Sequence, residues 1–171
     1  PERDESESFA RELVHGWQAF RTRTWIWVIV LGFAFTNGAE SAALNVLGPI
    51  VAKESLGGAS VWGFILAAQG IGLVIGSLIA LRLRPSRPLF VGVAVMVTLA
   101  PPLALLAVEA PWPAIAAATL LTGVSIELFS VFWDTALQTH VPNDVLSRVS
   151  AWDAIGSLVL IPASYAVVGP A

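Results

Sequence analysis

The sequence predicts an all-α integral membrane protein, with five transmembrane helices forming an incomplete six-helix half-bundle. Three observations carry that prediction. Hydrophobic residues make up 56% of the 171 residues and charged residues only 12%, against roughly 25% charged in a soluble domain. Mean hydropathy is +0.77. Five apolar stretches, each near the ~20 residues that a hydrocarbon core about 30 Å thick requires, are joined by short polar links.

Residues 1–23 are the polar exception, a cytoplasmic linker followed by an amphipathic segment. Five of the twelve acids, Glu2, Asp4, Glu5, Glu7 and Glu12, crowd into this part of the chain, so the net charge of −3 is a poor guide to the rest. Phe9, Leu13, Trp17 and Phe20 recur at helical spacing and share one face. With Arg11, Arg21 and Arg23 beside it, that face either lies along a membrane surface or packs beneath the bundle.

Residues 24–171 form the transmembrane bundle. The first span runs from about Trp25 to Leu47 and is stopped by Gly48 and Pro49; the second covers Val61–Leu83. The third covers Leu89–Val108, with Pro101 and Pro102 near its end, and the fourth Pro113–Gln138. The fifth covers Ser150–Val168, with Pro162 inside it. Short connections make consecutive spans antiparallel. Arg3, Arg11, Arg21, Arg23, Arg82, Arg84, Arg87 and Arg148 then share one side and Lys53 alone faces the other, which places the amino-terminal segment in the cytoplasm. Trp25, Trp27, Trp62, Trp112 and Trp152 fall near span ends, where interfacial aromatic belts form. An odd number of spans puts the carboxyl end outside, where a sixth helix is expected to return.

Several chemistries are excluded by motif. The chain has no cysteine, no G-x-S-x-G, no H-E-x-x-H and no Walker lysine motif. His15 and His140 stand apart, without spaced ligand partners, and read as surface histidines. No enzyme activity, cofactor or metal is expected, and no basic field exists for nucleic acid.

The acids within the apolar runs carry the functional argument. A carboxylate at the centre of a membrane helix costs about 2.5–3.5 kcal/mol on insertion scales, so it marks a functional site by default. Glu127 and Asp134 are seven residues apart, two helical turns and about 10 Å along one face. Counted from Gln138, Glu127 lies about 16 Å deep and Asp134 about 6 Å. Asp134 can reach interfacial water or Arg148 as an ion pair or cap, whereas Glu127 has no such outlet and is expected to line a central cavity. Glu40 lies about 22 Å along the first span from Trp25, in its outer half, with Asn37 one turn before it. Such a carboxyl can gain and lose a proton as its hydration changes, so Glu127 and Glu40 are candidates for proton coupling; Glu40 can instead snorkel outward or pair with Lys53. Gln69 sits mid-span beside Gly63, Gly70, Gly72 and Gly76, where its amide serves either as an interhelical hydrogen bond or as a substrate contact.

These segments, RELVHGWQAFRTRTWIW, then NVLGPIVAKESLGGASVWGF, then FWDTALQTHVPNDVLSRVSAWD, resemble the second half of major facilitator superfamily transporters, helices seven to eleven of twelve. The likeness is to the bacterial branch of macrolide-efflux and siderophore-export proteins. It implies a secondary active transporter of the plasma membrane, an antiporter that exports small amphipathic molecules against protons by alternating access. The partners implied are the lipid bilayer, a missing amino-terminal half, a small-molecule substrate and protons. It also implies a cytoplasmic latch at Arg82, Arg84, Arg87, Arg148 and Asp153, with Pro142, Arg148 and Asp153 matching a loop between the tenth and eleventh helices. One departure is plain: the acid expected before the basic cluster is replaced by apolar Ile79, Ala80 and Leu81. A different class stays open, a membrane-embedded enzyme or binding protein that uses Glu127 and Asp134.

Overall fold

The computed structural model describes residue 14 and residues 16–169. The expectations for Arg3, Phe9, Arg11, Leu13 and His15 lie outside the described residues. All regular structure among those described is helical: α1 (Thr24–Ala42), α2 (Ala59–Ala80), α3 (Pro88–Val95), α4 (Ala100–Ala107), α5 (Trp112–His140), α6 (Asn143–Leu158) and α7 (Ile161–Val168). Five helical stretches are long and apolar enough to cross a membrane: Thr24–Leu56, Ala59–Ala80, Pro88–Ala107, Trp112–His140 and Asn143–Val168. The all-α membrane fold is therefore as expected. The chain divides into two compact units, one holding residues up to Ala42 together with those from Leu137 onward, the other Ala43–Ala136.

In the first unit, α1 buries Ile26, Val30, Ala34, Gly38 and Ala42, one residue every fourth position. That spacing keeps them on one helical stripe, and the small size of Ala34, Gly38 and Ala42 lets backbones approach where no hydrophobic drive exists between helices. Gly156 of α6 faces Val30, and a Cβ on Gly38 would lie 3.4 Å from the Leu160 carbonyl. Asn37 Nδ2 donates to the Ser157 carbonyl at 3.0 Å, and the Ser41 and Tyr165 hydroxyls share a hydrogen bond of 2.7 Å. These pairs advance together in sequence, so α1 runs parallel to α6 and α7, as alternate members of an antiparallel series must. Ahead of α1, Phe20 is buried and Trp17 packs on Trp152 with ring centroids 5.0 Å apart. This part of the amphipathic segment thus packs on α6.

Prolines shape the helices differently from the expected stops. The first helix does not end at Gly48 and Pro49 but continues to Leu56. Wider π turns at Ala43–Leu47 and Ala52–Leu56 flank a short α segment, Gly48–Val51. Such turns absorb the missing Pro49 N–H and the crowding of its ring without breaking the path. The stop comes instead at Gly57 and Gly58, with φ of 103° and 99°, where the Gly58 N–H closes on the Ala52 carbonyl at 2.7 Å. Pro162 falls at the start of α7, after a break at Val159 and Leu160. The expected loop Thr139–Val149 shrinks to Val141 and Pro142 because α6 already begins at Asn143. Pro142 ends one helix, and Asp144 in the first turn suits the start of the next.

The second unit has a core at each end. Ala52, Leu56, Trp62, Ile65, Leu106 and Ile115 form one; Ala80, Leu128 and Phe132 form the other. Trp62 is buried here against Gly48 rather than standing in an interfacial belt. Between α3 and α4 the chain tightens into a 3₁₀ turn, Met96–Leu99. Pro101 and Pro102 lack the N–H groups that an α-helix would direct to the Val97 and Thr98 carbonyls. The Ala100 N–H takes the first carbonyl, and Thr122 Oγ1 of α5 donates to the second at 2.6 Å. Thr122→Val removes that donor without changing shape, and is expected to cost about 1 kcal/mol by leaving a half-buried carbonyl without this donor. Adding Pro102→Ala restores a local N–H, so the double variant should recover most of the loss in thermal unfolding in detergent.

Candidate functional site

The site grows from the close approach of α2 and α5. A Cβ on Gly72 would strike the Leu120 carbonyl oxygen and lie 3.1 Å from Gly123 Cα; one on Gly123 would strike the Gln69 carbonyl. A Cβ on Gly76 would lie 2.6 Å from the Val124 carbonyl and 2.8 Å from Glu127 Cβ. The two helices therefore touch backbone to backbone along Gly72, Gly76 and Gly123, the use that small residues have in membrane packing. The pairings rise together in number, so α2 and α5 are parallel. Gly63 and Gly70 are not part of this seam, since a Cβ at either meets nothing within 4 Å among the described residues.

At the end of the seam stands Glu127. Its side chain is half-buried, and Ser77 Oγ donates to Glu127 Oε1 at 2.9 Å. Ser77 is only three residues from the end of α2 at Ala80, about 5 Å along that axis. Glu127 thus lies level with the last turn of α2, while α5 itself continues for thirteen residues to His140. Depth counted along α5 alone overstates how far the carboxyl is from the Arg82 end of α2. Ser77 had no local signal marking it as a partner, because fifty residues separate it from Glu127; its place directly after Gly76 in the chain is the one sequence cue.

The other candidates are dispersed. Asp134 is exposed on α5. Gln69 is half-buried, with its main chain in the seam. Arg82, Arg84 and Arg87 are exposed after the end of α2. Glu40 and Asn37 belong to the first unit, where both are half-buried and the Asn37 amide is spent on the Ser157 carbonyl. Arg148 and Asp153 sit on α6 rather than on a loop, and Asp153 Oδ1 accepts from Ser157 Oγ at 3.3 Å. No group of three or more His, Asp or Glu side chains placed to hold a metal occurs among the described residues.

What this arrangement offers is an ionisable group inside an apolar helix pair, hydrogen-bonded by the Ser77 hydroxyl and packed against glycine. No curated protein and no solved structure matches the chain. Residues 1–158 do match the family of major facilitator type described as transmembrane secretion effector. With five membrane-length helices and a match over nearly its whole length, the chain belongs to the transmembrane secretion effector family, multi-pass membrane proteins with a general role in transport and efflux.

Proposed function

We propose that this chain is part of a proton-coupled exporter of small amphipathic molecules, working by alternating access in the plasma membrane. Glu127 is the proton carrier. The observation that supports this reading most is the placement of Glu127 itself, a carboxyl in the α2–α5 seam with a hydroxyl partner and, among the described residues, no ion pair with a cation. A structural ion pair would need a cation, and an exposed solubilising acid would not be half-buried. Export then means proton entry from outside and release inside, with substrate moving the other way, as this bundle rocks against a second one. The transport half of the reading is tested in proteoliposomes with an imposed pH gradient: an amphipathic dye such as ethidium should accumulate, and a protonophore should abolish the accumulation. Dye movement indifferent to the gradient would sink the coupling.

The orientation in this reading puts Arg82, Arg84 and Arg87 in the cytoplasm and Lys53 outside. Because the chain has no cysteine of its own, single cysteines report cleanly. Ser55→Cys is expected to react with an impermeant thiol reagent in intact cells, and Ser86→Cys only after the membrane is opened. The reverse pattern would overturn the orientation.

A further inference from the structure

We propose that Ser77 is a positioning residue that holds Glu127 in both of its protonation states by reversing one hydrogen bond. The proposal deepens, and rests on, the reading of Glu127 as the proton carrier. Ser77 Oγ lies 2.9 Å from Glu127 Oε1 and 3.2 Å from the Leu73 carbonyl. A hydroxyl has one hydrogen to donate and two lone pairs to accept with, so it cannot serve both oxygens at once.

Protonation of Glu127 decides which it serves. An ionised carboxylate only accepts, and the Ser77 hydrogen then points to Oε1. When a proton from water binds the carboxyl, the new O–H donates to Ser77 Oγ, and the Ser77 hydrogen turns about Cβ–Oγ to the Leu73 carbonyl one turn back. No bond between heavy atoms changes, and no buried polar group loses its partner in either state.

The seam explains why such an exchange is needed. With Gly76 against Glu127 Cβ, and Gly72 and Gly123 against facing carbonyls, α2 and α5 leave no space between their backbones for a water to replace a lost partner. The surrounding charges leave the task to Ser77. Neither Ala59–Ala80 nor Pro88–Ala107 contains a titratable side chain. The remaining charged or titratable groups on α5 and just after α2 are Asp134, His140, Arg82, Arg84 and Arg87, all exposed.

A double-mutant cycle on the full chain tests this, with thermal unfolding in detergent as readout. Ser77→Ala is expected to lower Tm by about 2–4 °C, and to do so by a similar amount in the Glu127→Gln background, since the glutamine amide is a permanent donor that mimics the neutral acid. In the Glu127→Leu background the same change should be nearly silent. A shift seen with Glu127 but absent with Glu127→Gln would overturn the reversal, and an equal shift with Glu127→Leu would overturn the pairing. A second readout is the infrared carbonyl stretch of protonated Glu127, assigned by its loss in Glu127→Gln. It should move to higher wavenumber in Ser77→Ala, and an unmoved band contradicts the proposal. If both signatures appear while Glu127→Gln still accumulates dye under a pH gradient, the reading of Glu127 as the proton carrier fails and the hydrogen-bond reversal stands.

Discussion

Gly72→Leu is expected to abolish the folded protein. The first atom of the new side chain would land on the Leu120 carbonyl oxygen, 3.0 Å from the Leu120 carbonyl carbon and 3.1 Å from Gly123 Cα. All three are backbone atoms, so no rotamer change relieves the clash and α5 as a whole must retreat. Overpacking where side chains can yield costs about 1–3 kcal/mol. Here the retreat also releases the contacts at Gly76 and Gly123, and the sum approaches the 5–15 kcal/mol net stability typical of a domain. Size-exclusion chromatography of the detergent extract should show aggregate in place of a monodisperse peak. Gly70→Leu, whose Cβ meets nothing within 4 Å among the described residues, should change stability by no more than about 0.5 kcal/mol. A monodisperse Gly72→Leu protein at ordinary yield would mean that α2 and α5 are not packed as described.

Glu127→Gln carries the largest functional effect. One pH unit across a membrane is worth about 1.4 kcal/mol per proton moved, so exchange of one proton for one substrate sustains roughly a tenfold accumulation. With glutamine in place of the acid the accumulation ratio should fall to about one. Downhill exchange of dye should persist, because glutamine keeps the shape of the side chain and a hydrogen bond to Ser77. That split separates loss of coupling from loss of binding or folding. Glu127→Asp, one methylene shorter, keeps an ionisable group and should retain a reduced accumulation.

Much of the fold was legible because lipid imposes a simple rule: an apolar run of about twenty residues must be a helix. All five helices follow from it, and the parallel register of α2 with α5 follows from the short links between them. Local chemistry misled where two effects compete. Gly48 and Pro49 read as a stop, yet π turns carried the helix to Gly57 and Gly58. Trp62 lies near a helix start, as an interfacial residue would, yet it fills the space left by the missing side chain of Gly48. The four glycines of α2 read as one stripe, but Gly70 and Gly72 are about 200° apart around the axis, and only the Gly72 and Gly76 face meets α5. At the site, the anomaly of Glu127 was plain from sequence, since a charge in an apolar run needs a reason. Its partner was not, because a serine fifty residues away in sequence is brought close only by the packing of two helices. The acceptor role of the Thr98 carbonyl was equally hidden, as it depends on two prolines and on a threonine from another helix.

Proton movement measured alongside substrate movement tests the central claim most directly. Proteoliposomes holding a pH-sensitive dye, with no imposed gradient, are given an inward or outward ethidium gradient. Wild-type protein should drive protons in the direction opposite to ethidium, and Glu127→Gln should move ethidium with no proton signal. Proton movement of wild-type size in Glu127→Gln, or none in either protein while ethidium moves, would contradict the assignment of Glu127 as the coupling residue.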